Sequence, residues 1–191
     1  MSHVPSDPVG HASEILALED ISKTYDTDSS SSAVYALRNI SLAVRKGKFL
    51  AVMGGPKQGK TTLLKVVSGA TRPTTGTVVR HGEATRRPGS EGDTVAWLGT
   101  PVDTADLTAA LDRHARVLLA DDASEADGAV LRQAVDRHGV AAVMATTAPA
   151  AAARADAVVI LHGGAVVDLI ADAGPREISA CLERAAAHAR P

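Results

Sequence analysis

Residues 49–64 read FLAVMGGPKQGKTTLL: an apolar run, a glycine-rich turn, and a lysine followed by two threonines. Phe49 to Met53 is short and wholly apolar, which predicts a strand buried on both faces of a helix-covered sheet. Lys60 to Val67 continues with an amphipathic pattern and predicts a helix. Gly54, Gly59, Lys60 and Thr61 satisfy G-x-x-x-x-G-K-[ST] in the strand–loop–helix setting that this pattern requires. The residue types have chemical reasons. Main-chain N–H groups of the loop and the helix start point at an anion, and glycines let the chain wrap closely around phosphate. Lys60 is expected to reach the β- and γ-phosphates, and the Thr61 hydroxyl to ligate Mg²⁺.

A glycine-rich turn before an ordinary helix is the plainer alternative. It explains Lys60 poorly, because a cation at a helix N-terminus opposes the helix dipole at a cost of a few tenths of a kcal/mol. A bound phosphate reverses that sign. We therefore expect Gly54, Gly55, Pro56, Lys57, Gln58, Gly59, Lys60, Thr61 and Thr62 to contact a nucleoside triphosphate, with Mg-ATP as the expected species.

Working outward, Ile15–Leu18 and Ile21–Tyr25 predict a strand region, and Tyr35–Val44 a second one with Leu37, Ile40, Leu42 and Val44 on a buried face. Asp26–Ser32 is a polar loop, and Arg45–Lys48 a turn. Downstream, Gly69–Gly76 reads as a turn region, Thr77–Arg80 as a strand and His81–Asp93 as a loop. Strands are expected at Thr94–Leu98, Arg116–Ala120, Val140–Ala145, Ala155–Leu161 and Ala165–Ile170. Helices are expected at Leu107–His114, within Ala123–Gly139, and over Pro175–Ala189, where the proline sits at the tolerant first turn. Alternating buried strands and helices predict an α/β fold with a mostly parallel sheet. Residues 1–12 read as a loose tail, and 13–191 as a single core.

The composition bounds the classes. The chain has 191 residues, is 45% hydrophobic and carries a formal charge of −2. That is enough to bury a core, and no excess of basic charge argues for a nucleic-acid partner. The aromatics are few (Tyr25, Tyr35, Phe49, Trp97), so the core must be aliphatic. The lone Cys181 allows no intrachain disulfide and reads as a small apolar residue of a late helix. Met1–His11 lacks the basic start and apolar run of a signal peptide. Val140–Ala153 is too short and interrupted to span a bilayer. The expectation is a soluble, cytoplasmic protein. Seven histidines are scattered without metal-ligand spacing, and there is no nucleophile elbow.

The second chemical feature is Arg116-Val-Leu-Leu-Ala-Asp121-Asp122, an apolar strand ending in two carboxylates. A solvated strand end or helix N-cap would use Asp equally well. With the phosphate loop upstream, Asp121 is expected to hold Mg²⁺ and Asp122 to orient an attacking water.

Together these residues resemble the nucleotide-binding domain of ABC transporters over most of the chain after residue 15. LEDISKTY (18–25) looks like the family's opening strand and places Tyr25 where an aromatic stacks on adenine. Residues 34–79, VYALRNISLAVRKGKFLAVMGGPKQGKTTLLKVVSGATRPTTGTVV, match closely through the loop. AALDRHARVLLADDAS (109–124) looks like the segment around the Walker B strand, and ADAVVILHGGAVVD (155–168) like the family's C-terminal strand pair. The resemblance implies a P-loop three-layer sandwich with an N-terminal antiparallel β portion. It also implies ATP and Mg²⁺ as cofactors, and a membrane permease or a complete ABC subunit as partner. A P-loop kinase or GTPase fits less well, because there is no N-K-x-D guanine-reading motif and no Arg-rich lid.

The departures are concentrated. Between Trp97 and Leu107 the family carries a glutamine loop, a helical subdomain and an LSGGQ signature; here the chain runs LGTPVDTADL, and no LSGGQ-like string occurs. Gly99 stands for the glutamine, Asp122 for the catalytic glutamate, and Thr147 for the switch histidine. The family's Asp-loop is blurred at Glu125-Ala126-Asp127. Lys57 replaces a loop glycine, at a cost on the order of 1–2 kcal/mol if that backbone is left-handed, or else adds a second cation. Asp122 is shorter than glutamate by one bond, roughly 1.5 Å, and a misplacement near 1 Å costs about a hundredfold in rate. The combination predicts retained binding with turnover weak or partner-dependent, or a non-catalytic nucleotide-binding scaffold. The surface on which permease helices dock in the family is also expected to be missing.

Overall fold

The computed structural model describes residues 14–25, 33–80 and 95–187. The expected tail, the loops at 26–32 and 81–93, and the last residues of the terminal helix lie outside the described residues. Strands β1 (Glu14–Tyr25), β2 (Val34–Arg45) and β4 (Thr75–Arg80) form an antiparallel sheet in the order β2-β1-β4. The main sheet has six strands in the order β5-β6-β7-β3-β8-β9: Val95–Leu98, Val117–Ala120, Ala141–Thr146, Phe49–Met53, Ala157–His162 and Ala165–Ala171. Its strands are parallel except for β9, which returns antiparallel to β8 through Gly163-Gly164.

The apolar runs explain the layering. In β3, Phe49, Ala51 and Met53 face one core with Leu118, Met144 and Ile160, while Val52 faces a second core with Leu119, Val143 and Val159. The first core is closed by α2 (Thr104–Asp112), α3 (Glu125–His138), α4 (Pro149–Ala152) and α5 (Pro175–Ala187); the second by α1 (Lys60–Ser68) and the inner face of the antiparallel sheet. This is the expected three-layer α/β sandwich with its N-terminal antiparallel portion. Among the described residues, no helix is long and apolar enough to cross a membrane.

Several elements differ from the sequence reading, and four of the differences have a local reason. Helix α2 begins at Thr104, not Leu107, because Asp103 caps it, its carboxylate accepting from the Ala105 N–H at 3.0 Å. Strand β4 begins at Thr75 and includes Gly76, because antiparallel pairing with β1 extends to Ser22 and Thr75. Strand β1 runs unbroken through a bulge at Asp20, which has φ 51° and is held by Ser41. The short helix α4 was not expected; Pro149 at its start is pre-set for it.

Two polar clusters, one half-buried around Asp156 and one buried around Asp127, fix the frame. Asp156 accepts from the Phe49 N–H at 2.7 Å and from Arg132 at 3.0 Å, with Lys48 at 3.7 Å, and so pins the entry of the central strand. Asp127, 4% exposed, joins α3 to the segment that stands where the helical subdomain would be. Its carboxylate accepts from the Val102 N–H at 2.6 Å, the Ser124 hydroxyl at 2.7 Å and the Ser124 N–H at 2.8 Å. The Ser124 hydroxyl in turn accepts from the Asp127 N–H, completing a capping box.

Burial alone would raise the Asp127 pKa, but the bonds from Ser124 and Val102 outweigh it and hold the carboxyl below its usual value. A depressed folded pKa contributes stability that is present above the unfolded value, near 3.9, and is lost as pH falls through the folded value. Asp127→Asn is therefore expected to cost about 1–3 kcal/mol at pH 7. In urea denaturation followed across pH, its deficit against the unsubstituted chain should narrow below about pH 4. A pH-independent deficit would show that the negative charge of Asp127 does not stabilise the fold.

Candidate nucleotide-binding site

The carboxyl ends of β3, β6, β7 and β8 converge on one edge of the main sheet. Met53 pairs with Thr146 on one side and Ile160 on the other, and Ala120 pairs with Met144. In open α/β sheets, ligand crevices form at this edge, where the strand order reverses. The loop from Gly54 to Gly59 leaves β3 here and feeds α1.

Crowding shapes the loop. A Cβ on Gly54 would stand 2.5 Å from the Leu161 carbonyl oxygen, and one on Gly59 would stand 2.3 Å from that of Ala36. Gly59 also has φ 98°, a left-handed value that suits glycine. The Gln58 side-chain oxygen accepts a short bond from the Gly163 N–H, tying the loop to the β8–β9 turn. Helix α1 has no side-chain cap, so its first-turn N–H groups keep their capacity for a ligand or water. Lys57 has φ 61°, so it carries the left-handed cost anticipated from its sequence position.

Lys60 turns inward. Its Nζ donates to the Gly54 carbonyl at 2.7 Å and to the Gly55 carbonyl at 2.9 Å. Burial lowers its pKa, and the charges of Asp121 and Asp122 partly oppose that. The acid pair therefore lies within electrostatic reach of this ammonium. Ala36, Gln58, Gly59 and the side of the loop from Lys57 to Thr62 line a hollow of about 140 Å³. A larger hollow of about 370 Å³, with a largely apolar lining, adjoins Gly54, Gly55, Pro56, Thr147, His162 and Leu182.

The acid pair sits on a constrained turn. Asp121 is half-buried and Asp122 exposed with φ 52°. The Asp121 carboxylate accepts from the Asp122 N–H at 3.1 Å, and its carbonyl accepts from the Thr100 hydroxyl at 3.0 Å. The Thr146 hydroxyl donates to the Ala123 carbonyl at 2.7 Å. Thr147 follows, exposed, at the end of β7.

The structure thus sets Gly54 to Thr62 at the carboxyl end of β3, with Asp121 and Asp122 following β6 at the same sheet edge, and their charges act on Lys60. It does not bring Tyr25 into the lining of either hollow. Tyr25 ends β1, 41% exposed, with the Lys23 ammonium 5.1 Å from its ring centre. Sequence reasoning missed three contributors: Ala36, which closes over Gly59; the Gln58–Gly163 tie; and Gly164, whose Cβ would stand 2.7 Å from the Ala36 carbonyl oxygen. The Gly163-Gly164 pair signalled a turn, but nothing local said what it touches.

Comparison with known proteins identifies the family and the fold. The family profile described as ABC transporter matches residues 37–150, more than half of the chain. The taurine import ATP-binding protein TauB of Ruegeria pomeroyi is 40% identical over 76 residues, 40% of this chain and 28% of that protein. The bicarbonate transport ATP-binding protein CmpD of Synechococcus elongatus is 40% identical over 88 residues, 46% of this chain and 30% of that protein. The matched stretch spans less than a third of the length of these curated relatives. A dimeric ATP-binding cassette in a post-hydrolysis state, bound to ADP and Pi, shares the fold with a TM-score of 0.69 at 16% identity, over 84% of this chain and 100% of that one. A nucleotide-free ATP-binding cassette from an ABC transporter gives 0.67 at 14% identity, over 89% and 95%. With the phosphate loop and the acid-ended strand both inside the matched stretch, the chain belongs to the ABC transporter family, as one of its nucleotide-binding domains.

Proposed function

We propose that this chain is an ATP-binding subunit of ABC-transporter type that binds Mg-ATP in the loop Gly54 to Thr62 and turns it over weakly, or only with a partner. The observation that carries the reading is the inward Lys60. Its ammonium lies against carbonyl oxygens of its own loop, at the strand edge where Asp121 and Asp122 also act on it. Packing of Gly54 against the Leu161 carbonyl and of Gly59 against that of Ala36 fixes the course of the loop, and the uncapped start of α1 offers its N–H groups to an anion.

On this reading the first-turn N–H groups of α1 bind the phosphate oxygens, and Lys60 exchanges carbonyl partners for phosphate. Thr61 and Asp121 would hold the cation. Mg²⁺, when bound, supplies charge neutralisation on the phosphates. Tyr25, at the open end of β1, would offer a ring face to adenine. Asp122 would orient the water, but with a shorter side chain than glutamate. Thr147 offers no imidazole. These two positions, together with LGTPVDTADL at 98–107 in place of the subdomain and signature, support weak turnover. The same three features favour a second reading, a nucleotide-binding scaffold uncoupled from transport.

The names of the relatives pair ATP binding with import or transport, which supports a role beside a membrane permease or a complete ABC subunit at the cytoplasmic face. Residues 13–191 would act as one nucleotide-binding core.

Calorimetric titration with Mg-ATP tests the site. Lys60→Ala is expected to weaken binding at least tenfold, about 1.4 kcal/mol, with the fold intact by circular dichroism; equal binding by that variant would remove the phosphate role. In a steady-state assay of the pure chain, turnover should stay below about 0.1 s⁻¹, two orders under the median enzyme. Turnover near one per second that Lys60→Ala abolishes would overturn the weak-hydrolysis half of the reading.

A further inference from the structure

The nucleotide-binding domain reading leaves open which of two consequences the substitution at position 57 has, a conformational cost alone or a second cation. Lys57 stands where the family pattern has glycine, and its backbone is left-handed, at φ 61°. Glycine would adopt that conformation without strain, so the lysine is retained against a local conformational penalty. Strain of this kind gathers at functional sites, where the side chain returns something that stability alone does not need.

The surroundings say what the side chain supplies. Lys57 is exposed and lines the 140 Å³ hollow together with Lys60, Thr61 and Thr62. Among the described residues it has no ion-pair partner. Lys60, in contrast, is engaged with two carbonyl oxygens and lies under the influence of two aspartates. Among the described residues, the positive charge of the hollow that has no acidic partner is therefore that of Lys57. An uncompensated ammonium beside a ring of main-chain donors matches a polyanion, and a strongly hydrated point charge on a flexible stem suits phosphate.

We propose that Lys57 is a second phosphate-binding cation of this site, supplied by the chain itself, and that it strengthens polyphosphate binding at the expense of the stability of the free protein. The proposal rests on the Mg-ATP reading and adds to it a further binding residue. It requires opposite signs in two measurements, which a purely structural role for Lys57 does not produce.

Lys57→Gly is expected to raise the melting temperature of the ligand-free protein by about 2–4 °C, the usual scale for relieving such a strain in a domain of this size. In calorimetry the same variant should bind Mg-ATP and Mg-ADP about tenfold more weakly. Its affinity should also fall less steeply with added salt, because one charge of the site is gone. Lys57→Asn, uncharged but tolerant of the left-handed backbone, should lose affinity like Lys57→Gly; Lys57→Arg should bind within about twofold of the unsubstituted chain. If Lys57→Gly binds both nucleotides as tightly, with an unchanged salt dependence, the second-cation role is wrong, while loss of binding in Lys60→Ala would leave the parent reading standing. If neither substitution weakens binding, the parent reading fails along with it.

Discussion

Backbone crowding at the end of the central strand governs this architecture. Gly54 packs against the Leu161 carbonyl, Gly59 against that of Ala36, and Gly164 against the same Ala36 carbonyl. Each contact leaves no room for a Cβ. The Arg38 N–H donates to the Gly164 carbonyl at 2.8 Å, so β2, the loop and the β8–β9 turn are stitched at one point. This is how an antiparallel sheet built by other strands comes to sit against the phosphate loop. The second core beneath it, from Ile21, Leu37 and Ile40 to Leu63, Leu64 and Val67, then fills the space between the sheet and α1.

The sequence made the central strands legible because burial on both faces demands unbroken apolar runs. FLAVM and VLLA could be placed without reference to anything distant. The loop was legible for a different reason: its chemistry is local, with glycines, lysine and threonine at fixed spacing. What stayed hidden depends on contacts across the chain. Gln58 reaches Gly163 across 105 positions, and Asp127 reaches back 25 positions to the Val102 N–H. Asp103 was readable as a cap in principle, yet the apolar period of α2 starts later, at Leu107, and drew the boundary with it. The left-handed backbone of Asp122 had no sequence signal at all.

The segment 99–103 carries a structural lesson about the shortened region. It does not simply hang between β5 and α2. Thr100 donates to the Asp121 carbonyl, and Val102 donates to the buried Asp127 carboxylate. The first bond ends on the turn that carries the acid pair, and the second on the first turn of α3 just beyond it. A buried carboxylate is tolerable only when its oxygens are satisfied; here Ser124 satisfies one oxygen, and the donor to the other, the Val102 N–H, comes from this stretch. The side chain at 127 is thus part of how the remaining core closes.

That closure bears on the balance between holding a nucleotide and acting on it. An interaction made equally in ground and transition states tightens binding without speeding chemistry. On the proposed reading, lysines at 57 and 60 and the main-chain cradle are of that kind: they would grip a triphosphate whether or not a water is aligned. Alignment depends instead on the turn at 121–122 and on residue 147. There the chain has a short carboxylate on a left-handed backbone and a hydroxyl where an imidazole would position the γ-phosphate. A chain that adds charge to its grip while blunting its aligning groups is physically suited to occupancy more than to turnover, and any partner that restores hydrolysis must supply alignment rather than affinity.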